Sequence, residues 1–270
     1  MKAQKITVHK RTFDNGKALY NVVEPKDGNF GWLQIRANGL LDKEPETIKW
    51  LDRLGPDDVL WDIGACVGSY SLYPALMYGT RVVSFEPAYY NYYILQQNIE
   101  LNKLDNLVTA YPIAVGKKYK YDYLVSHVNT LPGSGTNSIL DSEIAKHRSL
   151  AFKHGCVIDS INNLVRKGLP YPTHIKVDVD GTESDIIDGA LKVLPNLKSI
   201  LIELMPYPEK SYTSYQQIKG EVQRTIKLIE SYGFVLDKKL YDLSARRHDH
   251  PSSQFKGQRN YIYYGEKYAV

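Results

Sequence analysis

Apolar and polar positions along the chain follow two rhythms. Short, nearly continuous apolar runs recur at Val59–Ile63, Arg81–Phe85, Leu107–Val115, His174–Val179, Ser199–Leu204 and Gly233–Leu236, each of strand length. Between them lie stretches of helical spacing. In Glu46–Leu54 the residues Ile48, Leu51 and Leu54 share a face before Gly55-Pro56 ends the helix; Gly68–Tyr78, Tyr89–Leu101, 182–194 and Tyr215–Tyr232 follow the same logic. Apolar strands alternating with helices indicate a parallel sheet covered on both faces and joined by right-handed crossovers. The expected fold is therefore α/β, doubly wound and mostly parallel. Asn260–Tyr264 follows the sixth strand without an intervening helix, which predicts an antiparallel seventh.

Outside this alternation the pattern changes. Residues 1–44 read as short β segments (Ile6–His9, Ala18–Val23, Trp32–Ile35) broken by the turn signals Asp14-Asn15-Gly16 and Lys26-Asp27-Gly28-Asn29. They form an expected N-terminal β appendage or lid on a main domain spanning 45–270. Two connections, 116–155 and 237–259, exceed the usual two to six residues and leave the C-terminal ends of strands, where open α/β sheets bind ligands. They are the expected substrate walls. The first carries the hydroxyl-rich run Ser134-Gly135-Thr136-Asn137-Ser138, and the second carries Arg246-Arg247-His248.

Composition narrows the class without naming it. A chain of 270 residues accommodates one sizeable core with decorations, and 43% hydrophobic with 24% charged residues is ordinary for a folded globular protein. No apolar run approaches the ~20 residues of a membrane span, and the N-terminus lacks an apolar signal core, so a cytoplasmic location and no membrane partner are expected. Two cysteines, Cys66 and Cys156, do not make a disulfide framework. The net charge of +4, from 34 basic and 30 acidic residues, lacks the polybasic footprint of a nucleic-acid binder, and its mild positive bias suits an anionic small substrate. A homodimer remains open.

Candidate chemistry centres on Asp62-Ile63-Gly64-Ala65-Cys66-Val67-Gly68-Ser69-Tyr70, where a buried strand turns sharply into a helix. Dinucleotide loops use Gly-x-Gly-x-x-Gly against a pyrophosphate, whereas Asp-x-Gly-x-x-x-Gly is wider and has an acid at its base. That spacing disfavours a nicotinamide-dependent oxidoreductase or epimerase. The acid would repel a pyrophosphate and receive a cation, such as the ammonium of a sulfonium-bearing amino-acid cofactor. Glu86, at the end of the next strand, is placed to accept ribose hydroxyls. In His174–Glu183, period two puts Lys176, Asp178 and Asp180 on one face, and acids there point to a site rather than to packing. Glu203 ends the neighbouring strand and can face the same space.

These motifs, with Ser84-Phe85-Glu86-Pro87 and Asn91, then Ile175-Lys176-Val177-Asp178-Val179-Asp180-Gly181-Thr182-Glu183 and Asp188-Gly189-Ala190, resemble the FkbM family of S-adenosylmethionine-dependent methyltransferases. The resemblance runs from Glu44-Pro45-Glu46 to about Glu203 and departs at Asp180, where the family usually has glutamate. It implies a Rossmann-like, seven-stranded class I methyltransferase sheet and methyl transfer to a hydroxyl of a sugar, nucleotide-linked sugar or natural product. By resemblance Glu44, Asp62, Gly64, Ala65, Gly68, Ser69, Tyr70, Glu86, Asn91 and Asp178 surround S-adenosylmethionine. An alcohol acceptor calls for a base or a metal ion. Asp178 is the first choice as base, with Asp180, His174 and Glu203 as alternatives. Asp178, Asp180 and Glu203 could instead gather Mg²⁺, an open alternative, so no metal ligand is assigned. Asn137, Arg246, Arg247 and His248 are the candidate acceptor contacts, the arginines suiting a phosphate.

Overall fold

The computed structural model describes residues 7–23, 31–126, 131–135, 137–140, 142, 145, 151–205, 215–249 and 258–269. Its frame is a seven-stranded sheet built from β3 (Val59–Ile63), β4 (Arg81–Phe85), β5 (Val108–Tyr111), β10 (His174–Val177), β11 (Ser199–Leu204), β12 (Phe234–Leu236) and β13 (Arg259–Gly265). The spatial order is β12-β13-β11-β10-β3-β4-β5. The pairings from β11 through β10 and β3 to β5 are parallel, and β13 runs antiparallel to both β11 and β12. The sheet is thus the doubly wound, Rossmann-like one expected, with the reversed strand where the missing helix placed it. The strand order reverses beside β3, which puts a crevice at its C-terminal end.

The helices α2 (Pro45–Leu51), α3 (Ser69–Tyr78) and α4 (Tyr89–Asn102) supply much of one apolar layer, with Trp50, Leu51, Leu72 and Leu95 buried against Leu60 and Leu201. On the opposite face α5 (Ile161–Arg166), α6 (Glu183–Asp188) and α7 (Tyr215–Ser231) pack Ile161, Ile186, Ile187 and Ile229 against Trp61, Ile175, Val177 and Ile200. Odd and even positions of one strand therefore feed two cores, as the continuous apolar runs require.

Four expectations need correction. Trp32–Ile35 is not a β segment: Trp32–Asn38 forms a helix, α1, because Leu33 and Ala37, one turn apart, bury together against Val67 and Ile94. Residues 107–115 are not one strand. The run splits after Tyr111 at Pro112, which donates no ladder hydrogen bond, and β6 (Ala114–Val115) joins a second sheet. The 116–155 connection is folded, since β7 (Lys120–Ser126), β8 (Asn137–Ile139) and β9 (Phe152–Asp159) complete that four-stranded sheet in the order β6-β9-β7-β8. Likewise Lys238–Asp249, in the second connection, is a helix, α8.

At the N-terminus, the antiparallel hairpin of β1 (Thr7–Thr12) and β2 (Ala18–Val23) is held to α4 by side-chain amides. The Tyr20 and Val22 N–H groups donate to Asn102 Oδ1 and Asn98 Oδ1 at 2.8 and 2.7 Å, and Asn102 Nδ2 donates to the Tyr20 carbonyl at 2.6 Å. Two asparagines thus satisfy a strand edge that would otherwise be unpaired. The turn at Lys26–Asn29 lies outside the described residues.

Candidate active site

The glycine turn leaves β3 at the switch point. Gly64 has φ +84°, and a Cβ there would stand 2.0 Å from the Asp178 carbonyl oxygen, so only glycine lets β3 and β10 meet at this end. Gly68 has φ +91° and opens α3. The Gly64 and Ala65 N–H groups both donate to the Phe85 carbonyl, which fixes the turn against β4. Ser69 is the first residue of α3.

Glu86 lies under this turn. Its Oε2 accepts from the Cys66 N–H and its Oε1 from the Ala88 N–H, both at 2.8 Å, leaving lone pairs on each oxygen. Burial pushes its pKa up to about 7 against those hydrogen bonds. Asn91, in the first turn of α4, accepts from the Gly133 N–H at 2.8 Å and donates to the Ser134 carbonyl at 3.1 Å, pinning the 131–135 segment to α4.

Beside the turn is a buried charge cluster. Lys176, 1% exposed, donates to Asp178 Oδ2 at 2.7 Å, lies 3.9 Å from Asp62 Oδ1, and sits 5.0 Å from the centre of the Tyr70 ring. Burial alone would lower its pKa; Asp178, Asp62 and Glu44 outweigh that and hold the ammonium charged. Asp62 Oδ2 accepts from the Ser71 hydroxyl, while Oδ1 is buried with no hydrogen-bond partner. Burial raises the Asp62 pKa against the pull of Lys176. Glu44, ahead of α2, is buried, with Lys43 at 2.8 Å on Oε1 and the Thr47 hydroxyl at 3.1 Å on Oε2. Burial opposes its ionisation, but Lys43, Lys176 and Arg247 hold it well below the usual carboxylate range.

Past β10 the carboxylates open into a cleft lined by Asp180, Glu183, Glu203, Met205, Ile218 and Val222, between α6 and α7. Strand β10 ends at Val177, so Asp180 is on the following loop, where its Oδ2 accepts from the Asn137 N–H at 3.2 Å. The Asn137 side chain itself faces away, accepting from the Tyr90 and Ser126 hydroxyls. Burial raises Glu183 to about 8, with Asp180 and Asp178 adding repulsion, and burial with Asp178 and Glu44 lifts Glu203 well above the usual range.

Several expected site residues lie elsewhere or are bound to other partners. His174 is at the opposite end of β10, its Nδ1 2.6 Å from Ser199 Oγ and its Nε2 3.2 Å from Asp58, about 13 Å along the strand from Asp178 at ~3.3 Å per residue. Arg247 donates to the buried Glu46 at 2.8 Å, and Arg246 Nε donates to the Asp242 carbonyl of its own helix. Of the expected phosphate clamp, Arg247 is therefore engaged in holding α8 to α2, while the exposed Arg246 bonds only within α8. The His248 side chain lies outside the described residues. Among the described residues no cluster of three or more His, Cys, Asp or Glu is arranged to hold a metal ion, and no helix is long and apolar enough to cross a membrane.

Two residues beside these groups were not among the expected site residues. Glu183 belongs to the conspicuous acidic run but was overshadowed by the strand acids, and its place at the first turn of α6 could have flagged it. Arg36, on α1, donates from Nε to the Gly133 carbonyl at 2.9 Å and brings a guanidinium beside Cys66, Asp178 and Tyr70. It is 142 positions from Asp178, and no local pattern reveals such a neighbour.

The sheet order, the glycine turn at the switch point and the acid ending the next strand define a Rossmann-like fold of the methyltransferase kind. Residues 62–236 match the family described as the methyltransferase FkbM domain, and the chain belongs to that family. It is similar to the hexuronic acid methyltransferase AglP of Haloferax volcanii, 24% identical over 155 residues that cover 57% of this chain and 59% of AglP, so the match spans less than two thirds of that relative. Among solved structures, an FkbM methyltransferase from Methylobacillus flagellatus aligns with 16% identity and a TM-score of 0.48 over 86% of this chain and 54% of that one. A precorrin-6y C5,15-methyltransferase from Geobacter metallireducens aligns with 15% identity and a TM-score of 0.42, over 93% and 94%.

Proposed function

We propose that the protein is an S-adenosylmethionine-dependent O-methyltransferase acting on a sugar hydroxyl. The observation that carries this reading is the cleft just past β10 lined by Glu183 and Glu203, two carboxyls whose pKa burial raises with Asp178 adding repulsion. Family membership and the similarity to a hexuronic acid methyltransferase support it.

The residues present fit the cofactor. Asp62 Oδ1, buried without a hydrogen-bond partner, and the part-exposed Asp178 offer negative charge to an ammonium. Glu86, oriented by two backbone N–H groups, keeps lone pairs for ribose hydroxyls. Gly64, Ala65, Gly68, Ser69 and Tyr70 shape the turn, Asn91 holds the 131–135 segment to α4, and Glu44 adds to the negative field. When bound, S-adenosylmethionine supplies a methyl group already made electrophilic by its sulfonium, so the protein chiefly aligns the acceptor oxygen and excludes water.

The apolar wall of Met205, Ile218 and Val222 faces the acids across the cleft, an arrangement suited to a polyol with one apolar face. Glu183 receives the hydroxyl proton as the oxygen attacks; a group with a pKa near the working pH is the most effective base. Asp178, paired with Lys176, is the less available candidate. With Arg247 engaged by Glu46, the sugar itself rather than a linked phosphate is the expected recognition element.

The test is methyl transfer from labelled S-adenosylmethionine to a panel of neutral, acidic and nucleotide-linked sugars, alongside calorimetric binding of S-adenosylhomocysteine. Absence of cofactor binding at millimolar ligand would sink the reading. The rate should rise with pH through about 8 as Glu183 loses its proton. Glu183→Gln should lower turnover at least ~10²-fold and abolish that rise while leaving cofactor binding unchanged.

A further inference from the structure

We infer that Arg36, from the N-terminal appendage, receives the α-carboxylate of the methionyl tail of the cofactor, so that the appendage completes the binding site; this rests on the cofactor reading above. The helix that carries Arg36 lies directly on the glycine turn. Leu33 and Ala37 share a buried cluster with Val67 of the turn and Ile94 of α4, and Cys66 packs against it. Arg36 is three residues from Leu33 and adjacent to Ala37, on the side facing the turn, whereas Ile35 is 60% exposed.

The guanidinium is seated from behind. Nε donates to the Gly133 carbonyl, and Gly133 is in turn held by Asn91. A Cβ on Gly135 would stand 2.9 Å from Nη2, so small residues at this point make room for the group. Among the described residues neither Nη finds an acceptor, and a guanidinium with Nε anchored presents its Nη groups for a carboxylate. The neighbouring cations are already matched. Lys176 pairs with Asp178, Lys43 with Glu44, and Arg247 with Glu46. Cys66, Asp178, Tyr70 and Glu44 surround the guanidinium and raise its pKa against the effect of burial, so it stays charged.

An amino-acid tail carries both an ammonium and a carboxylate. The acids beside the turn serve the first, and Arg36, whose Nη groups meet no acceptor among the described residues, serves the second. The rival role is purely structural, with Arg36 pinning the 131–135 segment.

Calorimetry with two ligands separates these roles: S-adenosylhomocysteine carries the amino-acid tail, and 5′-methylthioadenosine keeps the nucleoside and sulfur without it. Arg36→Gln should weaken S-adenosylhomocysteine by at least tenfold and change 5′-methylthioadenosine by less than twofold. Arg36→Lys, which keeps the charge and loses the fork, should show a smaller loss on the first ligand alone, and it serves if the glutamine variant does not fold. Equal weakening of both ligands, or no weakening of either, overturns the inference while leaving the cofactor reading intact. Failure of the unmodified protein to bind S-adenosylhomocysteine overturns both.

Discussion

Strand β10 has ionisable groups at both ends, and the fold treats the two ends in opposite ways. At its N-terminal end Ser199 Oγ, the His174 ring and Asp58 stand in line, with 2.6 Å to His174 Nδ1 and 3.2 Å from Nε2 to Asp58 Oδ1. Those distances are within reach of a serine–histidine–acid relay. Yet Trp50 Nε1 donates to the same Ser199 oxygen at 2.8 Å, the Trp50 ring meets His174 edge-on, and Ser199 is fully buried. No substrate reaches it, and the trio, joined by Trp50 of α2, is a polar pin between α2, β10, β11 and the turn before β3. At the C-terminal end the Asp178 side chain is 30% exposed, and Glu183 and Glu203 line an open cleft. Residue type does not separate the ends; strand direction does, because a parallel sheet places its ligand crevice beyond the carboxyl ends of its strands.

The strongest way to break this contrast is to disturb the backbone contact that shapes the open end. At Gly64 a β-carbon would collide with the Asp178 carbonyl in a left-handed backbone conformation, and no flexible side chain is available to yield. Gly64→Ala should destabilise the fold by more than about 4 kcal/mol, the range of severe core disruptions, read by denaturant unfolding. A loss below about 1 kcal/mol would show that β3 and β10 do not meet as tightly as described.

A second effect has a sign that depends on pH. The folded pKa of Glu86 is about 7, above its ordinary value of 4.5, so the folded chain keeps a proton that the unfolded chain releases. Its contribution to stability is therefore greatest in acid and declines as pH rises from 4.5 through 7, by about 3 kcal/mol in total. Glu86→Gln should flatten that part of the stability–pH curve and weaken cofactor binding. An unchanged slope would mean that Glu86 is better solvated than its burial implies.

The frame was legible because fully buried parallel strands write continuous apolar runs, and the turn because Gly64 and Gly68 are required by backbone conformation. The second sheet was not, because Lys120-Tyr121-Asp122-Tyr123 is half-exposed and its alternation resembles a polar loop. Helix α1 was misread because its buried pair, Leu33 and Ala37, shows only at helical spacing, while Trp32–Ile35 alone looks like a short strand. In the site, Asp62, Glu86 and Asp178 converge because each ends a parallel strand. His174 was misplaced because period two assigns a residue to a face of a sheet but not to an end of a strand. Arg247 reads as a free cation because the buried Glu46, 201 positions away, is invisible to local pattern.

His174 itself provides the last and smallest test of the contrast. Removing the ring leaves Ser199 still accepting from Trp50, and Asp58 still bound by Lys198 at 2.7 Å and by the Gly55 N–H at 2.9 Å, so no buried group loses every partner. His174→Ala should therefore cost about 2 kcal/mol through lost packing and one lost hydrogen bond, well short of the Gly64 effect. Although burial opposes it, His174 and Lys198 hold the Asp58 carboxyl well below the usual range. Stability from that depressed pKa is present above the unfolded value of 3.8 and fades as pH falls through it. The variant should lose part of this acid-side slope while its affinity for S-adenosylhomocysteine changes by less than twofold. A large loss of cofactor binding, at unchanged stability, would place function at the closed end of β10 and undo the assignment of roles to its two ends.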